Sequence, residues 1–197
     1  MRNLQIWVIV GVALVGFFAS GLWFYTGQKS WKGVMLERKV NRGEDISAET
    51  LVQVWDHVRD LDRMFLTGRH VHLPGLASRL VVADENIAIE KRAEVLVAGE
   101  DSVRNALARE PANSHAWARL AWFRYVQGGP SKDVVDALRM SIYTAPAKNS
   151  LLFWRIEMAR LNRDYWTPEF EHLVNRQTAY AARVSQKQLD EVMGRQW

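Results

Sequence analysis

No cysteine occurs among the 197 residues. That excludes disulfides, thiolate metal sites, a lipid-modified cysteine and a cysteine nucleophile. Nor is there a phosphate-cradling glycine loop, a nucleophile elbow, an HExxH helix or an Asp-rich metal loop. The chain is therefore expected to be no enzyme and to carry no cofactor or metal. The only histidines with metal-ligand spacing are His70 and His72, which project to one side of an extended segment but lack a third and fourth ligand nearby. An ordinary loop with two histidines is the simpler account.

Charge is also missing where it matters most: none occurs between Arg2 and Lys29. Leu4 to Tyr25 is almost wholly apolar and as a helix would extend about 33 Å, enough to cross a bilayer. Trp7 at one end, and Trp23 with Tyr25 at the other, sit where aromatic rings prefer the headgroup level, with Lys29 and Lys32 just beyond. Ala19-Ser20-Gly21 offers a signal-peptidase site, but the apolar run continues through Phe24, and the expectation is an uncleaved anchor. The net charge of +4 concentrates in Lys29, Lys32, Arg38, Lys39 and Arg42, a position suited to anionic headgroups. No nucleic-acid partner is expected.

With 48% hydrophobic residues and nine tryptophans, the remainder is too apolar for a disordered tail. Ser47 caps a helix over about 48 to 65, with Leu51, Val54, Trp55, Val58, Leu61 and Phe65 at helical spacing. Residues 67 to 83 have no clean period, and Pro74-Gly75 reads as a turn. Asp84 to Glu110 reads as helix, interrupted at Gly99 with a restart at Asp101 or Ser102. Asn113 or Ser114, Ser131 and Thr167 are further N-caps. Ser185 with Gln188 forms a capping box for a last short helix.

Pro111 and Pro146 lie thirty-five positions apart. Pro111-Ala112 recurs as Pro146-Ala147, each closing one helical hairpin before the next. Trp117, Leu120-Ala121, Val134, Leu138, Ser141 and Pro146 form the set that carries a family likeness: the chain between Ser114 and Pro146 resembles a tetratricopeptide repeat. Gly99, Val103, Ala106 and Pro111 resemble the second half of a preceding unit. The run ALRMSIYTAPAKNSLLFWRIEMA resembles small membrane-anchored repeat proteins of bacterial surface-polysaccharide biosynthesis. The expected fold is thus all-α, a helical-hairpin (tetratricopeptide-like) repeat domain behind a single N-terminal transmembrane helix. Its parts are an anchor (1–28), a basic juxtamembrane linker (29–46), an amphipathic helix and irregular loop (47–83), and the repeat domain (84–197).

The resemblance implies a scaffold in the bacterial inner membrane that binds an envelope or membrane protein in surface-polysaccharide assembly. Arg119, Arg124, Tyr125 and Arg155 are the expected lining of its groove. The simpler account of these arginines has their stems lying over their own helices. Orientation is contested, since the basic flank after the span places the domain in the cytoplasm, whereas the resemblance implies the periplasm, which is the expectation adopted. Two rivals stand beside the scaffold: an assembly factor for secretion or cytochrome maturation, and, more remotely, a glycan-modifying enzyme using His70 and His72.

Overall fold

The structure, a computed structural model, describes residues 2–61 and 72–195, with side chains from Trp7 onward. His70 and the end of the helix expected over 48 to 65 lie outside them. Among the described residues the fold is all-helical and contains no strand. Helix α1 (Arg2–Asn41) is followed by α2 (Ala48–Val58), α3 (Leu73–Ala83), α4 (Ile89–Arg109), α5 (Ser114–Gly128), α6 (Lys132–Thr144), α7 (Asn149–Leu161) and α8 (Pro168–Gly194).

Helix α1 has two environments along one unbroken backbone. It is long and apolar enough to cross a membrane, and every side chain from Trp7 to Tyr25 is exposed. From Thr26 onward one face is buried: Thr26, Ser30, Gly33 and Leu36 recur every three or four residues against the rest of the domain. Gly33 allows the closest approach, since a Cβ there would stand 2.8 Å from Leu73 Cδ1 of α3. The linker expected over 29–46 is therefore helical as far as Asn41. A continuous helical backbone extends the apolar stretch into the fold, and no loop separates them.

The N-terminal core joins Leu36 of α1 to Leu51, Val54, Trp55 and Val58 of α2, to Leu61 in the turn after α2, to Ala77 and Val81 of α3, then to Ile87 and Val95. Residues 73–83, expected to be part of an irregular loop, form α3 instead. Pro74 sits in its first turn, where a missing N–H costs nothing. The expected Pro74-Gly75 turn is thus a helix start, and Gly75 serves packing. A Cβ there would collide with Val103 of α4. Gly99 does the same on the facing helix, where a Cβ would fall onto Ser78 and, at 2.7 Å, onto Phe123 Cζ. It does not interrupt α4, which runs continuously through Asp101 and Ser102.

The remaining helices pack in chain order, α3 with α4, α5 with α6, α7 with α8, and each pair touches the next. A second core runs from Val103 and Leu107 through Leu120, Ala121, Phe123, Val134 and Leu138 to Phe170 and Val174. A third, of Leu152, Ile156, Ala181, Leu189 and Val192, closes the C-terminal end. Leu138 is wholly buried, while Trp117 is half-buried and its Nε1 donates to Pro111 O at 2.7 Å. The caps form as the residue types require: Ser47 accepts from Thr50 N, Asn113 from Ala116 N, Ser131 from Val134 N and Thr167 from Phe170 N. At Ser185 the backbone leaves helical geometry (φ −162°, ψ 101°), and its Oγ accepts from Gln188 N at 3.3 Å, so the capping box restarts the chain inside α8.

Candidate functional site

The four residues expected to line one groove do not share a surface. Arg155 is 1% exposed and reaches from α7 to the end of α6. Its Nε donates to Ser141 Oγ at 3.1 Å and its Nη1 to Ala145 O at 2.9 Å, with Nη2 on Ser141 O. A cation there satisfies carbonyls at a helix C-terminus that have no partner in their own helix. Ser141 Oγ in turn donates to Ser114 O at 2.8 Å, so one chain of polar contacts ties α5, α6 and α7 together. Burial pulls the Arg155 pKa down to about 10, and the guanidinium stays charged at neutral pH.

Arg119 is likewise interior, 7% exposed, with Nη1 donating to His72 O at 3.3 Å across to α3. Arg124 is half-buried and donates to Asp133 O at 2.8 Å, and Tyr125 packs against the central core. Two of the four are therefore unavailable to a partner. Burial of Arg119 and Arg155 turns them inward, away from any groove surface.

Trp7 and Trp23 are 73% and 82% exposed and Tyr25 is 49% exposed, so these aromatics project from the uncovered part of α1. Lys29 places its ammonium 5.4 Å from the Tyr25 ring centroid. Lys29 and Lys32 also face α2, since their charges, after burial, hold the His57 pKa below its ordinary value.

His72 lies at the start of α3 and its Nε2 pairs with Glu37 Oε1 of α1 at 3.1 Å. That bond, against the opposing effect of burial, lowers the Glu37 pKa. The His72 ring also stacks with His115 of α5, centroids 6.1 Å apart. Burial first, and then the positive charge of Arg119, bring the His115 pKa down to about 4. Three helices, α1, α3 and α5, thus meet near the C-terminal end of α1. No group of three or more metal-ligating side chains occurs among the described residues.

The surface with the form of a binding groove lies elsewhere, between the α6–α7 turn and α8. It encloses about 380 Å³, with walls from Ile142, Tyr143, Pro146, Leu173 and Tyr180 and with Arg176 and Gln177 on one side. Both tyrosine hydroxyls are tied back, Tyr180 to Asn149 Oδ1 at 2.9 Å and Tyr143 to Glu169, which holds the ring faces toward the groove. Gln177 is 5% exposed, and its Nε2 donates to Pro146 O at 2.8 Å. Its Oε1 is buried and accepts no hydrogen bond. Such an orphan acceptor costs about 1–3 kcal/mol unless a donor arrives. No local feature of the sequence marks the Gln177 oxygen.

Compared with protein-family models, with curated proteins and with solved structures, the chain has no significant match.

Proposed function

We propose that this chain is a non-catalytic, membrane-anchored scaffold whose stacked tetratricopeptide-like hairpins present a partner-binding groove at a set height above the bilayer. The observation that carries the reading is the continuity of α1 from the exposed apolar stretch into the buried face at Thr26, Ser30 and Leu36. A tether only concentrates its cargo near the membrane, but a helix running unbroken into the core also fixes the direction in which cargo is held.

The groove between the α6–α7 turn and α8 takes a peptide segment of the partner. Its apolar walls accept an apolar side chain, and Arg176, which has no ion pair among the described residues, meets an adjacent carboxylate. Placement in a bacterial inner membrane, with the domain on the periplasmic side and a role in surface-polysaccharide assembly, rests on the sequence resemblance. An exposed span leaves room for the assembly-factor reading, in which α1 itself packs on partner helices.

Selection of displayed peptides against the full chain in lipid nanodiscs tests the groove. Apolar–acidic sequences should be enriched, and Arg176→Glu should shift the preference to apolar–basic ones. No enrichment, or a preference indifferent to that charge reversal, would remove the groove from the reading. Replacing residues 1–25 with an unrelated span separates scaffold from assembly factor, since only the former retains partner recovery.

A further inference from the structure

A cavity of about 230 Å³ lies where α3, α5 and α7 meet, lined by Arg79, His115, Arg119, Ser150, Leu151 and Trp154. Two of these six side chains are guanidinium groups on different helices. Arg79 lies over two indoles, 5.6 Å from the Trp122 centroid and 5.7 Å from that of Trp154. Arg119 makes the single hydrogen bond to His72 O described above. Neither has an ion pair among the described residues. The acid whose charge reaches Arg119 is Glu37, and its carboxylate is engaged by His72.

Two cations held together away from bulk water repel each other, and each has lost hydration. The strain registers at Arg119, where burial first and then the charge of Arg79 draw the pKa down to about 9. Indole faces offset part of the cost for Arg79, and nothing comparable serves Arg119. The third wall adds positive potential, because Ser150 and Leu151 belong to the first turn of α7. Lys148, the N-cap there, gives that turn no side-chain hydrogen bond; Leu151 N donates to Lys148 O at 3.0 Å, which leaves the Ser150 amide as the donor for an anion. A wider cleft of about 390 Å³ shares His115 and adds Arg38 and Lys148 beside Glu37.

We infer that this cavity is a binding site for a phosphoryl-class dianion, gripped by Arg79 and Arg119 and by the N-terminus of α7. A dianion balances two guanidiniums where a monocarboxylate leaves one uncompensated, and tetrahedral oxygens suit the forked donors of arginine. The height above the bilayer narrows the source. Glu37 and Arg38 lie on α1 roughly 18–20 Å beyond Tyr25 at ~1.5 Å per residue. The headgroup layer extends only about 6 Å past the hydrocarbon. On the membrane-anchored reading proposed above, with α1 along the bilayer normal, the phosphoryl group is that of a dissolved ion or a soluble phosphomonoester and not of a lipid in the same bilayer.

The full chain in phosphatidylcholine nanodiscs, titrated calorimetrically with inorganic phosphate, phenyl phosphate and acetate, tests this. Saturable phosphate binding at one site is expected, with acetate weaker by about tenfold or more. Phenyl phosphate binding more tightly than phosphate supports the site and assigns it to a phosphomonoester, and the reverse order supports it as a site for the free ion. Arg79→Gln and Arg119→Gln should each weaken phosphate binding by about tenfold or more, while Arg79→Lys should lose less and Arg176→Gln, on the separate groove, nothing. Arg119→Gln risks the fold, so the half-exposed Arg79, checked by circular dichroism, carries the test. Absence of saturable binding below about 10 mM, equal affinity for acetate, affinity unchanged in Arg79→Gln, or binding seen only when phosphatidic acid is in the disc would each overturn the site.

Discussion

The N-terminal unit of α1, α2 and α3 and the C-terminal stack of α5 to α8 are both helical, but different forces dominate in them. In the first, contact is mostly aliphatic around Leu36, Val54, Val58, Ala77 and Val81, with the His72–Glu37 pair joining α3 to α1. Its central aromatic, Trp55, is 1% exposed with an indole N–H that has no acceptor. In the second, buried donors reach across helices to backbone atoms. Arg155 serves the end of α6, Ser141 serves Ser114 O, and Asn162 Oδ1 accepts from Ser131 N at 2.9 Å. Trp166 Nε1 donates to Ala159 O at 2.9 Å. Apolar contact is nondirectional and tolerates sliding, whereas a hydrogen bond to a named carbonyl sets one register. The difference teaches that the stack encodes helix register in polar side chains, while the N-terminal unit takes its geometry mainly from α1 and from the close approaches at Gly33, Gly75 and Gly99.

The strongest way to break this contrast is to empty each core. Trp55→Ala should destabilise by about 3–5 kcal/mol, read by denaturant unfolding of the full chain in nanodiscs. Trp55→Phe should cost distinctly less than Trp166→Phe, because it removes an indole N–H that has no acceptor among the described residues while the latter removes a hydrogen bond to Ala159 O. Arg155→Met should cost about 1–3 kcal/mol through the hydrogen bonds it removes from Ser141 Oγ, Ser141 O and Ala145 O, and a neutral result would deny that polar contacts set register in the stack. Gly99→Ala should cost about 1–3 kcal/mol by overpacking against Ser78 and Phe123, although alanine is the better helix former.

The smallest effect is in pH. His115 is held neutral in the folded state, with a pKa of about 4 against an ordinary 6.5. As pH falls from about 6.5 towards 4 the unfolded chain takes up a proton that the folded chain refuses, so stability declines across that window. Charges facing His115 come from Arg119, His72, Lys148 and Glu37. Glu37, whose pKa is lowered below 4.5, loses its contribution only at more acid pH. In His115→Gln the melting temperature should fall less between pH 7 and pH 5 than in the parent chain, and equal slopes would contradict the assignment.

Much of the stack was legible because its signals are local. Caps at Asn113, Ser131, Thr167 and Ser185 and the proline stops at Pro111 and Pro146 act within a few residues, and all of these caps form. Legibility failed where distant packing decides. Pro74-Gly75 reads as a turn until Val103 and Arg119 are known to press on it, and only then does the glycine belong inside a buried helix. The basic run after Tyr25 reads as a linker because charge is prominent there, yet its alternate face of Ser30, Gly33 and Leu36 is a core surface. Arg119 and Arg155 misled for the same reason: residue type predicts exposure, and only the third dimension shows a helix end waiting for a cation. Gln177, Arg79 and the α7 N-terminus carry no shared motif, so neither the groove nor the cavity could be found from spacing.

The claim on which the account depends most is that α1 couples the apolar span rigidly to the folded domain. Because the chain contains no cysteine, two can be introduced cleanly, Ser20→Cys in the span and Arg109→Cys at the exposed end of α4. Pulsed electron paramagnetic resonance on the doubly spin-labelled chain in nanodiscs should give one narrow distance distribution, which broadens when a glycine pair is inserted after Tyr25. A broad distribution in the parent chain, or one the insertion leaves unchanged, would contradict the rigid coupling.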